Sequence, residues 1–313
     1  MARTPIDIVI PDLSGKRVVL TGGSDGMGLV IAARLAAAGA ELILPVRNPR
    51  KGDAAIATIR ESAPEATVSL RHLELSSLDS VAALGRTLLE EGDPIHIFIG
   101  NAGIMNPPER QTTADGFELQ FETNHLGHAA LIAHLMPLLR EGRARVTLQI
   151  SIAANQGGVN WDDPNWERSY DSMGAYSQSK IAYGLFGLEL NRRSAEAGWG
   201  ITANLSHPGV APTNLLAARP EIGRAEPVPA RRLISVLSRM GIMGTVATAA
   251  LPALMAATSP GDPGGTFYGP SGIRGLGGRP AEQPLYSRLR SPEDASRMWE
   301  LTQQLTNVPL PAV

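Results

Sequence analysis

Short apolar stretches alternate along the chain with longer segments in which apolar residues recur at helical spacing. The short stretches are rich in Val, Ile and Leu and apolar almost throughout, which is typical of strands buried on both faces. Repeated strand–helix units of this kind predict an α/β fold, with a doubly wound parallel sheet and helices on both of its faces.

The same pattern predicts the bounds of the elements. Strands are expected at Lys16–Thr21, Glu41–Val46, Thr67–Leu73, Ile95–Ile99, Ala144–Ile150 and Ile201–Ser206. Helices are expected at Met27–Ala38, Pro49–Ser62, Gly116–Leu139 and Met173–Glu196, with one more after Ser77. No repeat or low-complexity linker interrupts this order, so residues 1–313 are expected to form a single domain. Its later part is expected to hold a substrate-loop region at about 212–240 and an irregular segment at about 259–313.

Composition and charge narrow the class of ligand. The formal net charge of -2 gives no broad attraction for nucleic acid or for an anionic membrane surface. Cysteine is absent, which excludes disulfides, thiolate nucleophiles and Cys-ligated metals. The chain starts without a signal-peptide pattern, and the apolar stretch Val246–Thr258 is shorter than a membrane span of about 20 residues. We therefore expect a cytoplasmic protein that binds a small molecule.

A glycine-rich turn, TGGSDGMG, links the first predicted strand to the first predicted helix. In this setting Gly22 permits the tight turn, Gly26 lets backbone approach a pyrophosphate, and Gly28 allows the helix to pack closely on the strand. The helix N-terminus adds amide donors and a favourable dipole. A glycine cluster by itself indicates only a flexible turn, but the flanking strand and helix favour a dinucleotide site.

The end of the second predicted strand bears on the choice between NAD and NADP. An acidic residue there binds the ribose 2′-hydroxyl, whereas an arginine pairs with a 2′-phosphate. Arg47 stands at this place and favours NADP(H), with a solvated surface arginine as the plain alternative. Asp25, just before the second glycine of the turn, argues the other way, so NAD(H) stays open.

Tyr176 and Lys180 are four residues apart in a predicted helix, so both side chains emerge on one face. A free tyrosine is a poor acid or base at neutral pH, but a nearby cation stabilises the phenolate and brings the pKa toward the working range. The same spacing also arises by chance on solvated helices. The pair therefore needs support from other residues.

That support comes from motifs through which the chain resembles the short-chain dehydrogenase/reductase family. The TGxxxGxG spacing, NAG at residues 101–103, NHLGH at 124–128, YSQSK at 176–180 and HPG at 207–209 follow in the family's order. NHLGH and AYSQSKIAYGLF are most similar to the branch of retinol dehydrogenase-like and protochlorophyllide reductase-like enzymes. Three positions depart from the family: Gly100 stands where a second Asn is frequent, and Leu148 and Ile150 replace polar residues.

The resemblance implies a Rossmann-like, NAD(P)-dependent oxidoreductase that acts on carbonyl or alcohol groups. It implies that Ser151 polarises the substrate carbonyl and that Tyr176 transfers the proton. It also implies that Lys180 holds the nicotinamide ribose and lowers the pKa of Tyr176, and that Asn124 anchors a water. The cofactor contacts that it implies are Gly22, Ser24, Asp25, Gly26, Met27, Gly28, Arg47, Glu74, Leu75, Asn101, Ala102, Gly103, Tyr176, Lys180, Pro208, Gly209, Val210 and Thr213.

A rival interpretation is a non-catalytic regulator that binds NADP(H) on the same fold. The intact Ser151, Tyr176 and Lys180 argue against it. His125 and His128 are spaced i, i+3, but without an HExxH motif or cysteine we expect no metal site. The expected partner is a small, apolar ketone, aldehyde or alcohol, and the sequence leaves its identity, the reaction direction and a homo-oligomer open.

Overall fold

The computed structural model describes residues 6–310, in which eight strands form one sheet. The strands are β1 (Arg17–Thr21), β2 (Glu41–Val46), β3 (Val68–His72), β4 (Ile97–Gly100), β5 (Arg145–Gln149), β6 (Thr202–Ser206), β7 (Phe267–Pro270) and β8 (Pro280–Glu282). Their order is β3-β2-β1-β4-β5-β6-β7-β8, and every pair is parallel except β7 with β8. The order reverses at β1, which lies between β2 and β4. Such a switch point opens a crevice at the carboxyl ends of the strands, where α/β proteins bind ligands.

The helices begin and end at local signals in the sequence. They are α1 (Gly26–Ala37), α2 (Pro49–Ser62), α3 (Leu78–Glu91), α4 (Leu119–Phe121), α5 (Gly127–Glu141), α6 (Ser172–Ala197), α7 (Arg231–Arg239), α8 (Val246–Thr258) and α9 (Pro292–Thr306). Asn48 caps α2 by accepting from the Lys51 amide at 3.3 Å, and Ser77 caps α3 in the same way. Gly92 ends α3 with a positive φ of 76°, which glycine adopts at little cost.

Two hydrophobic clusters cover the sheet, one on each face. The larger joins α3, α5, α6 and α9, and includes Leu84, Leu131, Phe186 and Met298. The other joins α1 and α8, and includes Ile31, Leu35, Leu251 and Leu254. Each fully buried leucine or phenylalanine contributes about 1.5–3 kcal/mol, so the clusters hold the sheet edge firmly in place.

The predicted α/β fold and all the predicted strands and helices are confirmed, with two differences. The helix expected at Gly116–Leu139 begins only at Leu119 and contains a π-helical turn, Glu122–Leu126. The expectation of an irregular segment at 259–313 is wrong for β7, β8 and α9. These strands are too short to show a period, and α9 folds because its apolar face packs on α6. The predicted domain covers residues 1–313, of which 1–5 and 311–313 lie outside the described residues.

None of the helices within residues 6–310 is both long enough and apolar enough to cross a bilayer.

Candidate active site

The glycine-rich turn lies at the switch point, between β1 and α1. Gly22 and Gly26 have positive φ angles of 66° and 51°, a conformation that side chains disfavour. A Cβ on Gly28 would lie 1.9 Å from the carbonyl oxygen of Gly22, so only glycine lets α1 pack this closely. A Cβ on Gly26 would meet nothing within 4 Å, so this residue borders open space. The turn thus offers a helix N-terminus and the room that a pyrophosphate needs.

Asp25 caps α1 at the same turn. Its Oδ1 accepts a hydrogen bond from the Gly26 amide at 2.7 Å and another from Asn214 Nδ2 at 2.8 Å. Asn214 belongs to the substrate-loop region, 212–240, so this contact ties that region to the turn. Ser24 is half-buried beside them. The Asp25 carboxylate lies where a phosphate would also be attracted, so the two compete for the same amide.

Arg47 and Glu74 meet where the carboxyl ends of β2 and β3 lie side by side. The Arg47 side chain is 56% exposed, and its Nη1 lies 3.4 Å from Glu74 Oε2. The hydroxyl of Ser76 donates to Glu74 at 3.0 Å. Leu75 is buried, and its carbonyl oxygen would lie 2.2 Å from a Cβ on Gly127, so it packs directly against the start of α5. The structure therefore brings the predicted adenosine-binding residues together.

The NAG segment follows β4 and is tied to β1. Thr21 Oγ1 accepts from the backbone amides of Asn101 at 2.9 Å and Ala102 at 3.0 Å. Asn101 Nδ2 donates to the Thr21 carbonyl at 3.0 Å. A Cβ on Gly103 would lie 3.0 Å from Asn124 Oδ1, so this glycine lets the chain pass close to the predicted catalytic residues.

Asn124 lies in the π-helical turn, a feature often found at functional sites because its extra residue redirects side chains. The side chain is fully buried. Its Oδ1 accepts from the Ile104 amide at 2.9 Å, and its Nδ2 donates to the Ile104 carbonyl at 3.0 Å and to Ser179 Oγ at 2.9 Å. These bonds fix Asn124 within the protein, and its role as a water anchor stays a prediction.

Ser151 follows β5, and Tyr176 faces it from α6. The Ser151 hydroxyl accepts from the Ala153 amide at 3.2 Å and lies near the Tyr176 phenol. In place of the lowered pKa expected from the sequence, burial raises the pKa of Tyr176, and the neighbouring Ser151 hydroxyl only partly opposes this. The phenol therefore keeps its proton at neutral pH.

Lys180 is buried one turn after Tyr176, and its Nζ donates to the Gln149 carbonyl at 3.0 Å. Burial lowers the pKa of Lys180 to about 8. Gln149 also accepts from the Ser206 hydroxyl, and its Nε2 lies 3.9 Å from Met27 Sδ. The end of β5 thus links Lys180 to both β6 and α1.

The Pro208–Gly209 turn follows β6 and reaches the same edge of the sheet. Gly209 has a φ of 71°, and a Cβ there would lie 2.7 Å from the Leu276 carbonyl oxygen. The Val210 amide donates to that oxygen at 2.9 Å, so Val210 cannot donate to a cofactor without leaving Leu276. Thr213 directly precedes Asn214 and so lies near the glycine-rich turn.

Arg224 is a site residue that the sequence analysis does not identify. It is 7% exposed and ties the substrate-loop region to the segment after NAG. Nη1 donates to the Met105 carbonyl at 2.7 Å, while Nη2 donates to the carbonyls of Leu215 at 2.6 Å and Ala217 at 2.9 Å. No sequence signal separates Arg224 from the nearby Arg219, because carbonyl partners leave no mark in a residue pattern.

The two histidines of the NHLGH motif lie in the core. His125 Nε2 is 2.8 Å from Thr302 Oγ1, and His128 Nε2 is 2.9 Å from Thr21 Oγ1. Burial lowers the pKa of each histidine to about 3, so both are neutral at pH 7. Within residues 6–310, no three or more His, Asp or Glu side chains form a group that could hold a metal ion.

Packing accounts for the three departures from the family's motifs. A Cβ on Gly100 would lie 1.8 Å from the Tyr183 hydroxyl, so this phenol fills the space beside β4. Leu148 packs on Gly187 of α6, where its methyl carbon would lie 2.8 Å from an added Cβ. Ile150 is likewise buried. Apolar side chains at these places let α6 approach the sheet closely.

Comparison with known sequences supports this picture. The short chain dehydrogenase family matches residues 16–222. The chain is 42% identical to retinol dehydrogenase 13 from Homo sapiens over 205 residues, which are 65% of this chain and 61% of that protein. It is 38% identical to retinol dehydrogenase 14 from Homo sapiens over 217 residues, with 65% and 64% covered. It thus spans slightly less than two thirds of the length of these two relatives.

Solved structures give the same result. A putative uncharacterized protein from Mycobacterium paratuberculosis superposes with a TM-score of 0.77 at 33% identity, with 97% of both chains covered. Levodione reductase superposes with a TM-score of 0.60 at 21% identity, covering 79% of this chain and 92% of that one. The second likeness shows the fold alone.

Proposed function

This chain belongs to the short-chain dehydrogenase family, and from that membership we propose that it is an NADP-dependent oxidoreductase. It transfers hydride between the cofactor and an apolar ketone, aldehyde or alcohol. The observation that carries the proposal is the placement of the Ser151 hydroxyl near the buried Tyr176 phenol, with the buried Lys180 one turn further along α6. Two hydroxyl groups on one wall of the crevice can bond a single substrate oxygen.

The residues of the crevice fit a nicotinamide dinucleotide. The N-terminus of α1 and the open space beside Gly26 would hold the pyrophosphate. The NAG segment and the Pro208–Gly209 turn would border the nicotinamide half. When bound, the nicotinamide supplies or accepts the hydride.

Arg47 supports the choice of NADP(H) over NAD(H). Its guanidinium is more than half exposed and has only a long contact with Glu74, so it is free to turn toward a 2′-phosphate. Asp25 opposes this choice through its negative charge, although Gly26 and Asn214 hold its carboxylate at the helix N-terminus.

In the reduction direction, the Ser151 hydroxyl donates to the substrate carbonyl oxygen and fixes its angle. Tyr176 then transfers its phenolic proton to the same oxygen as the carbon accepts hydride. The raised pKa of Tyr176 holds this proton at neutral pH until negative charge develops on the substrate.

Lys180 stabilises the phenolate that remains after proton transfer. With a pKa of about 8, it carries a positive charge for most of the time at pH 7. The Gln149 carbonyl fixes its Nζ, and Asn124 packs alongside through Ser179 and the Gly103 backbone. Asn124 thereby acts as a positioning residue for this wall.

The substrate class rests on the relatives. The proteins with the matching sequences are named retinol dehydrogenases, and retinol is an apolar alcohol. An enzyme assay determines the reaction direction and the individual substrate.

The test measures oxidation of NADPH, and separately NADH, by the purified protein with pooled apolar aldehydes and ketones. Tyr176→Phe should lower turnover by about a hundred to ten thousand fold, since the general acid is lost, while NADPH binding is kept. Tyr183→Phe is the matched control, because this buried phenol on the same helix has no hydrogen-bond partner. It should keep full turnover.

The outcomes separate the rival interpretations. Wild-type protein that binds NADPH but turns over no carbonyl substrate would favour the non-catalytic regulator. Equal turnover in wild type and Tyr176→Phe would overturn the assigned role of the tyrosine.

A second test addresses the cofactor. Arg47→Gln should weaken NADPH binding by about tenfold, the scale of one charge-assisted hydrogen bond, and leave NADH binding unchanged. Titration by fluorescence measures both constants. An unchanged NADPH affinity would show that the 2′-phosphate lies elsewhere.

We further propose that the domain spans residues 1–313 and that the protein is cytoplasmic. The unbroken sheet from β1 to β8, closed by α9, supports one domain. The absence of cysteine suits any redox environment, a reducing one included.

A further inference from the structure

The short helix α7 presents an apolar face to solvent. Leu233 is 61% exposed, Val236 is 51% exposed and Met240, directly after the helix, is 58% exposed. Ile234 and Ser238 point the other way and are buried. At 100° per residue the three exposed side chains fall on one side of the helix, opposite the buried pair. An exposed apolar face of this kind marks an interaction surface.

Arginines flank the apolar face. Arg232 and Arg239 are both exposed and are seven residues apart, so they lie along one edge of the helix. The helix itself carries three arginines, Arg231, Arg232 and Arg239, and no acidic residue, although the whole chain has a formal net charge of -2. Net charge thus conceals a locally basic helix.

The surface continues beyond the helix and adjoins the crevice. The Ser238 hydroxyl donates to the Gly244 carbonyl at 2.7 Å, and the Gly244 amide donates to the Val210 carbonyl at 2.9 Å. The turn 271–279 packs against the same place and exposes Ile273, at 76%, together with Arg274. The basic, apolar surface therefore belongs in large part to the substrate-loop region, which contains α7, and borders the turn after β6.

We propose that this surface, Leu233, Val236, Met240, Ile273 and their flanking arginines, docks on an anionic lipid bilayer. Apolar side chains on one face with arginines at the edge are the composition of helices that lie in the membrane interface. Each arginine gains from the negative surface potential, and each apolar side chain gains from leaving water. The docking does not require a membrane-spanning segment.

The positive charge of this surface also argues against a second copy of the chain as its binding partner. Most homodimers are two-fold symmetric, so a patch would meet the same patch on its partner. Arg232 and Arg239 would then face a second set of arginines, and like charges repel. An anionic surface meets the same arginines with opposite charge. A substrate dissolved in the bilayer would reach the substrate-loop region directly, a consequence that rests on the proposed function.

The experiment is flotation of the full-length protein with vesicles of phosphatidylcholine alone, or of phosphatidylcholine mixed with phosphatidylglycerol. The protein should float with the mixed vesicles and not with the neutral ones. Leu233→Ser with Val236→Ser should reduce binding by about tenfold, and Arg232→Gln with Arg239→Gln should reduce it by about fivefold for each arginine. Added salt should weaken wild-type binding.

Matched controls lie on other faces of the molecule. Leu89→Ser removes an exposed leucine of α3, and Arg60→Gln with Arg140→Gln removes two exposed arginines of α2 and α5. Both controls should bind as wild type does. Circular dichroism confirms that every variant is folded, and because the assay measures only binding, its result is independent of enzyme activity.

Three results would overturn the proposal: wild type that does not float with mixed vesicles, equal binding by the α7 variants, and equal loss of binding in the controls. Sedimentation velocity without lipid adds a fourth. A dimer that Leu233→Ser with Val236→Ser dissociates would assign the surface to a second copy of the chain.

Discussion

The catalytic wall, formed by Asn124, Ser151, Tyr176 and Lys180, and the substrate-loop region border the same crevice but are held in different ways. In the wall, Asn124, Tyr176 and Lys180 are each at most 4% exposed. Asn124 bonds to the Ile104 backbone and to Ser179, and Lys180 bonds to the Gln149 carbonyl of β5. In the substrate-loop region, by contrast, few side chains bond to the rest of the fold: Arg224 donates to the Met105 carbonyl, Asn214 to Asp25, and Arg219, at 3.4 Å, to the Gly103 carbonyl.

This difference indicates a division of labour. A buried polar group that loses its partner costs about 1–3 kcal/mol, so the wall has few alternative arrangements and holds its reacting groups in fixed positions. A region with few such ties can shift locally at low cost, which suits the admission of a substrate. On the proposed function, the wall would perform the chemistry and the substrate-loop region would select what reaches it.

The largest predicted effect on stability and cofactor binding comes from a substitution in the glycine-rich turn, which supports the wall. Gly28→Ala places a methyl group 1.9 Å from the Gly22 carbonyl oxygen, so α1 must move away from β1. We expect a loss of at least about 3 kcal/mol in the free energy of unfolding and no NADPH binding. Urea denaturation and fluorescence titration measure the two quantities.

Gly26→Ala is the matched variant in the same turn. Its methyl group meets no protein atom within 4 Å, although the φ of 51° costs about 1–2 kcal/mol. It should keep most of the stability yet weaken NADPH binding strongly, because the methyl group fills the space intended for the pyrophosphate. Tight NADPH binding by Gly26→Ala would place the phosphates elsewhere.

A smaller effect concerns the lysine of the wall. Burial lowers the Lys180 pKa from 10.5 to about 8, which corresponds to about 3 kcal/mol of destabilisation below pH 8. Lys180→Met removes this cost and one hydrogen bond worth about 1 kcal/mol, so it should stabilise the fold by about 2 kcal/mol at pH 7. The Lys180→Met variant should show no turnover.

The pH dependence of the free energy of unfolding tests whether the charge of Lys180 is buried. Between pH 8 and 10.5 the folded protein has released the Lys180 proton while the unfolded chain still binds it, so the wild type gains stability as the pH rises. The advantage of Lys180→Met should be greatest below pH 8 and shrink toward pH 10.5. Thermal melts across this range measure it, with the exposed Lys51→Met as control. A constant advantage would contradict a buried charge.

The same contrast explains what the sequence could predict. The strands, the glycine-rich turn and the four residues of the wall follow from periodicity and motif spacing, because each depends on local geometry. The π-helical turn at Glu122–Leu126 could not be predicted, since one extra residue in a helix leaves no periodic signal. The space that Tyr183 takes from Gly100 depends on contacts across the fold. The role of Arg224 depends on backbone carbonyls that any residue carries.

The smallest predicted effect comes from a substitution in the substrate-loop region, and it tests whether this region and the wall have separate roles. Arg224→Met removes the bonds to the carbonyls of Met105, Leu215 and Ala217 but leaves the wall intact. We expect KM to rise about tenfold, equivalent to about 1.4 kcal/mol, with kcat within about threefold of wild type.

Arg219→Met is the control, because its contact with the Gly103 carbonyl is long, at 3.4 Å, and KM should change less. Steady-state kinetics with limited proteolysis of the region separates loosening from misfolding. A fall in kcat without a rise in KM would mean that Arg224 supports the wall as well, and the division between the two regions would not hold.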